Sequence, residues 1–196
     1  FQCALGMWTV TMLLKPAIVT LHLLGGMLTL ALLWWVVLTY RHKPEHSLNV
    51  SASIKYWALF ALIIIYCQIA LGGWTSTNYV ALHCYDLPTC QGQWLPPTNF
   101  SEGFTLWKGL ADDSQALTNY EGGVLSLEAG TAVHLTHRLG ALFTVVVVGS
   151  LALKLYLLGS RLSRRLAAII ALALSIQVSL GLLNIILVLP IPIAVA

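Results

Sequence analysis

Four long apolar stretches organise the chain. Residues 17–40, 56–82 and 166–196 contain no charged side chain, and residues 129–153 are interrupted only by Arg138. Each is longer than the roughly 20 residues that a helix rising about 1.5 Å per residue needs to cross about 30 Å of hydrocarbon. The pattern predicts four membrane-spanning helices and the tail of a fifth in residues 1–14. The fold class expected is all-α, a polytopic membrane helical bundle. The first residues are already apolar, with no initiator Met and no charged lead-in, so the sequence reads as a fragment. The Pro-rich stretch at 189–192 leaves room for a further helix beyond it.

Within the runs the polar positions repeat. His22-Leu-Leu-Gly25-Gly26-Met-Leu-Thr29 and His137-Arg138-Leu-Gly140-Ala-Leu-Phe-Thr144 share the pattern His-x-Leu-Gly-(Gly/Ala)-x-x-Thr. A second pattern, Gln-x-(Ala/Ser)-Leu-Gly, begins at Gln2, Gln68 and Gln177 and ends at Gly6, Gly72 and Gly181. The runs therefore alternate Gln, His, Gln, His, Gln, as expected of a duplicated helical unit. The glutamines read as interhelical hydrogen-bonders rather than ligands.

Composition agrees with this class. Hydrophobic residues make up 58% of the 196, charged residues 9%, and mean hydropathy is +0.83, against roughly 25% charge in soluble domains. Charge then orients the chain. The 41–55 connection carries Arg41, Lys43 and Lys55 against Glu45, and the 159–165 turn carries Arg161, Arg164 and Arg165 with no acid, so both are expected in the cytoplasm. The 73–128 connection has Asp86, Glu102, Asp112, Asp113, Glu121 and Glu128 against Lys108 alone, a net −5. It is expected outside, and its 99–128 part has the composition of a short surface helix around Phe104, Leu106 and Trp107 or of irregular loop. His22 and His137 then lie about 9 and 12 Å into their spans at 1.5 Å per residue.

A histidine inside the bilayer needs a reason. A structural one is a hydrogen bond to a neighbouring helix. The functional one is axial ligation of haem iron, which neutral imidazole suits and which bundles arrange from facing helices. Gly25, Gly26 and Gly140 admit either a flat macrocycle or close helix packing. His134, His137 and Arg138 share one helix face. An Arg at this depth costs about 2.5–3.5 kcal/mol and calls for an anionic partner such as a haem propionate, an acid on another helix, or the interface. In the loop, Cys84 and Cys90 flank a Pro-containing turn on the oxidising side, where a disulfide is expected, structural or redox-active. A zinc site with His83 is the poorer alternative. Cys3 and Cys67 read as small apolar fillers.

Taken together, Gln68-Ile-Ala-Leu-Gly-Gly-Trp-Thr-Ser-Thr-Asn-Tyr79, Cys84-x-Asp86-x-Pro88-x-Cys90-x-Gly92-x-Trp94 and His134-x-x-His137-Arg138 resemble the haem A synthase family of bacteria and mitochondria, with Tyr85 departing from the Pro usual after the first cysteine. The resemblance covers nearly the whole chain. It implies an eight-helix protein of two four-helix halves, with residues 1–40 ending the first half, 41–55 a cytoplasmic loop, and 56–196 forming helices five to seven of the second with the outer loop at 83–128. It implies oxidation of a methyl of haem O to the formyl of haem A. His22 corresponds to a ligand of substrate haem O, and His137 to a ligand of haem B, with His134 and Arg138 beside it. Their partner histidines and an acid near the reacting methyl belong to helices two and eight. His134 stands where this half would carry that acid, which implies an electron-transfer role for the second haem.

The localisation implied is the bacterial inner membrane, within the lipid bilayer. The partners implied are haem O synthase or terminal oxidase assembly factors and an unidentified electron donor, with no role for nucleic acid. The main rival is a bis-histidine b-type cytochrome subunit that passes electrons without altering haem. It leaves the paired-cysteine loop unexplained. A channel or transporter would require broken helices or a polar file, and neither is present in the sequence.

Overall fold

The computed structural model describes residues 1–41, 50–106, 118–190 and 192. Six helices follow in order among the described residues: α1 (Gln2–Thr11), α2 (Pro16–Arg41), α3 (Ala52–Thr77), α4 (Phe100–Gly103), α5 (Leu127–Leu157) and α6 (Arg161–Ile186). Among the described residues there is no strand, only an isolated bridge between Cys90 and Gln93. Four helices, α2, α3, α5 and α6, are long and apolar enough to cross a membrane. The protein is an integral membrane helical bundle, as the hydrophobic runs predict.

The helix ends have local causes. Leu13 and Leu14 adopt positive φ, which stops α1, and Pro16 opens α2, where its missing N–H is no loss. Asn78 ends α3 by turning its side-chain Nδ2 back onto the Trp74 carbonyl at 2.8 Å, and Tyr79 follows at positive φ. The apolar run to residue 82 therefore overstates this helix by five residues. Ser126 caps α5 through the Ala129 N–H at 3.3 Å, two residues before the expected start. Glu102 of α4 in turn accepts from Ser126 Oγ at 2.7 Å and Ser126 N at 3.1 Å. In the 99–128 segment, expected as a short surface helix or irregular loop, the described residues hold the single turn of α4, where Asn99 accepts from the Glu102 N–H. Trp107 lies outside the described residues, as does most of the 41–55 connection.

Packing runs between neighbours, with α1 on α2, α2 on α3, α3 on α5 and α5 on α6, while α4 leans on α5. One core sits toward the α5–α6 turn, built from Ala61, Val147, Val148, Leu151, Leu155 and Ala167 with Trp57 against it. Trp57 donates to Ser150 Oγ at 3.0 Å, and Lys154 Nζ lies 4.3 Å from its ring centroid. The other core lies at the long-loop end, where Trp74, Val80 and Val133 meet Ala17, Phe104 and Leu125. There Trp74 Nε1 donates to the Gly103 carbonyl at 2.8 Å, and Tyr120 N to the Leu13 carbonyl at 3.1 Å. The long loop is thereby fastened over the ends of α1, α2, α3 and α5. Outward faces of the four long helices are apolar and exposed, the state in which lipid rather than water is the solvent.

Candidate functional site

Both repeated histidines are half-buried, and each is held from the preceding helix by the glutamine of the other repeat. Gln2 on α1 uses both amide atoms: Oε1 lies 3.0 Å from His22 Nδ1, and Nε2 donates to the His22 carbonyl at 3.1 Å. Gln68 on α3 repeats the contact on α5, with Nε2 3.0 Å from His137 Nδ1 and donating at 3.0 Å to the His137 carbonyl. Its Oε1 is buried without a hydrogen bond among the described residues.

Glycine completes each seat. One turn beyond the glutamine, a Cβ at Gly6 would stand 3.2 Å from His22 Cε1, and one at Gly72 would stand 3.1 Å from His137 Cε1. On the histidine helices, Gly25 and Gly140 make room for the side chains of Gln2 and Gln68, which a Cβ would strike. The space at Gly25 and Gly140 is thus filled by glutamine, which is close helix packing of the expected kind. Side chains that bulk would displace are the imidazoles themselves, at Gly6 and Gly72. Nothing lies within 4 Å of a Cβ at Gly181, so among the described residues the third copy, Gln177 and Gly181, carries no ring.

His134 and Arg138, on the same face of α5 as His137, are occupied by the loop. His134, only 4% exposed, accepts from the Cys84 N–H through Nδ1 at 3.1 Å. Arg138 Nη1 donates to the carbonyls of Asp86 at 2.9 Å and Thr89 at 3.0 Å, and Nη2 donates to that of Cys84. The guanidinium finds carbonyl oxygens where the sequence suggested a carboxylate. Its Nε is buried and without a partner among the described residues.

Cys84 and Cys90 form the expected disulfide, with Cα atoms 4.5 Å apart, so the zinc alternative with His83 has no thiolate pair to use. Cys3 and Cys67 are free and lie at exposed positions, where the sequence suggested buried fillers. Asp86 closes the loop from within, accepting from Thr89 Oγ1, from Gln91 N at 2.6 Å and from Gly92 N at 3.0 Å. Gln91 Nε2 then reaches Thr131 Oγ1 of α5 at 2.8 Å and the His83 carbonyl at 3.1 Å.

The loop's electrostatics give it an acid sensitivity. The Thr89 hydroxyl, followed by the Gly92 and Gln91 amides, holds the Asp86 carboxyl below its ordinary value, and burial lowers that of His83. A group whose folded pKa is depressed stabilises the fold above its unfolded value and loses that contribution as pH falls. We expect the loop to be firm at neutral pH and to loosen in two stages. The first, below about pH 6.5, comes as His83 charges, and the second, below about pH 4, as Asp86 takes up a proton. Amide exchange of residues 84–92 across this range measures it, and Asp86→Asn should remove the second stage only.

An integral membrane bundle that seats two half-buried histidines on glutamine-bearing helices, beneath a disulfide-closed loop, is built like a protein that handles a cofactor within the bilayer. The chain belongs to the COX15-CtaA family, cytochrome oxidase assembly proteins, which it matches over residues 1–196. It is 38% identical over 199 residues to a heme A synthase of Shewanella oneidensis, an alignment that takes in all of this chain and 57% of that protein. No solved structure matches it.

Sequence reasoning located both histidines and the disulfide but assigned Gln2 and Gln68 no place at a site. The signal was available in the alternation itself, since a Gln run precedes each His run. Gln91 had no signal, because its contacts depend on how the loop folds.

Proposed function

We propose that the chain is the central part of a membrane haem A synthase, which oxidises a methyl group of haem O to the formyl group of haem A for terminal oxidases. The observation that carries this reading is the pair of seats. Each presents an imidazole whose Nδ1 is bonded, whose Nε2 has no hydrogen bond among the described residues, and whose edge meets glycine. Those are the features an axial haem ligand needs. Similarity over the whole chain to a heme A synthase supports the same reading.

In this reading His137 holds haem B in the C-terminal half, formed by residues 56–196, and His22 holds haem O in the N-terminal half that ends within residues 1–40. The second ligand of each haem and the acid beside the reacting methyl lie on helices two and eight, outside residues 1–196. A bound haem supplies the redox chemistry that removal of methyl hydrogens requires. The protein's part is position. Gln2 and Gln68 fix the rings, and the unpartnered Nε of Arg138 is the donor left for a propionate. His134 anchors the loop beside that propionate, its Nδ1 accepting from the Cys84 N–H.

We further infer that the 83–128 loop faces the periplasm of a bacterial inner membrane. Its net charge of −5 contrasts with Arg161, Arg164 and Arg165 at the opposite end of α5 and α6, as the positive-inside rule requires. Membership of a cytochrome oxidase assembly family supports haem O synthase or terminal oxidase assembly factors as partners.

Pigment extraction tests the function. Cells supplied with haem O and expressing the full-length protein are expected to yield haem carrying a formyl group, identified by its mass and its pyridine spectrum. Bound haem with haem O left unchanged would instead establish a bis-histidine electron-transfer subunit.

A further inference from the structure

Gln2 and Gln68 are the same residue of a duplicated motif, and each meets its histidine at the same two groups, the ring Nδ1 and the main-chain carbonyl. Two bonds from one amide fix both the rotation of the ring and the direction from which Nδ1 is approached. Glycine one turn further on closes the third side, because anything larger at Gly6 or Gly72 would press on Cε1. Interlocking is mutual, since Gly25 and Gly140 on the histidine helices give the glutamines their space. A generic interhelical hydrogen bond requires none of this.

At each seat the ring nitrogen that glutamine meets is Nδ1, 3.0 Å from Gln2 Oε1 at His22 and 3.0 Å from Gln68 Nε2 at His137, while Gln68 Oε1 has no hydrogen bond among the described residues. Which end of the amide faces Nδ1 governs the tautomer: a carbonyl oxygen there holds the proton on Nδ1 and leaves the Nε2 lone pair for a metal, whereas an NH2 group there leaves the proton on Nε2. An imidazole ligates through Nε2 only in the first arrangement, which at Gln68 would also give Oε1 the partner it lacks.

We propose that Gln68 and Gln2 are positioning residues that select the ligating tautomer of His137 and His22 and set the basicity of the ring, and hence the reduction potential of the haem it holds. Outer partners of ligating histidines act through this bond, a stronger acceptor at Nδ1–H making the ring a better donor to ferric iron. The inference rests on the haem reading given above.

The test is a potentiometric titration of haem in the purified full-length protein, comparing wild type with Gln68→Glu and Gln68→Leu, with the low-spin ferric EPR signal recorded alongside. A carboxylate at 68 is expected to shift the midpoint to more negative values. Leucine, which removes the acceptor, is expected to shift it to more positive values and to broaden the EPR signal as the ring loses its fixed rotation. Potentials and EPR signals equal to wild type in both variants, or shifts in the same direction, overturn the proposal. Wild-type protein that binds no haem overturns the functional reading instead, so the two failures are distinguishable. Gln2→Glu, examined with haem O added, is expected to repeat the negative shift at the other seat.

Discussion

His137→Ala should abolish the haem B absorption of the purified protein, while His22→Ala should retain it and lose formyl-haem production. The asymmetry follows from the assignment of one seat to a resident haem and the other to substrate. It draws on geometry that treats the two rings alike, both half-buried and both held by glutamine across a helix pair. Truncation at 137 leaves Gln68 facing a cavity, with Gly72 and Gly140 unable to fill it. Helix content should stay near wild type, because the interhelical hydrogen bonds lost contribute only about 0.6 kcal/mol each in membrane proteins. Optical spectra and haem stoichiometry of the two variants decide the matter. Full haem content in His137→Ala would remove the assignment of the second seat.

The second large effect is expected at Arg138. Its guanidinium supplies donors to the carbonyls of Cys84, Asp86 and Thr89, and so holds the turn inside the disulfide against α5. Arg138→Leu leaves three carbonyls without that donor, and hydrogen bonds to a charged group contribute about 1.5–3 kcal/mol each. We expect a thermal stability loss of about 3 kcal/mol in detergent and at least tenfold faster reduction of Cys84–Cys90 by dithiothreitol. Arg138→Lys should recover only part of this, since one ammonium lacks the planar fork that serves several acceptors at once. Reduction rates matching wild type in Arg138→Leu would show that the loop is held by His134 and Gln91 alone.

These two predictions also mark what the sequence reveals. Apolar runs of 24 residues or more allow nothing but membrane helices, so the bundle is legible from hydropathy. Helix ends were less so. The apolar run continues past Thr77, while the chain stops being helical there because the Asn78 side chain caps the Trp74 carbonyl. Duplication made His22 and His137 stand out, and the short Pro-containing spacing between Cys84 and Cys90 on the loop expected outside pointed to the disulfide that the structure contains. Arg138 was recognised as needing a partner, and the structure adds main-chain carbonyls that the sequence did not point to. No sequence pattern reports where carbonyls of a folded turn will point. The glutamines were visible as a motif, and their register against the histidines appears only once α1 lies on α2 and α3 on α5.

Leu21 and Leu23, the neighbours of His22 on α2, are 44% and 40% exposed, and the most apolar part of this helix has no buried residue. An apolar flank of this kind asks to be covered, by acyl chains or by another helix, and a charged side chain placed at either leucine should weaken whichever of the two meets it.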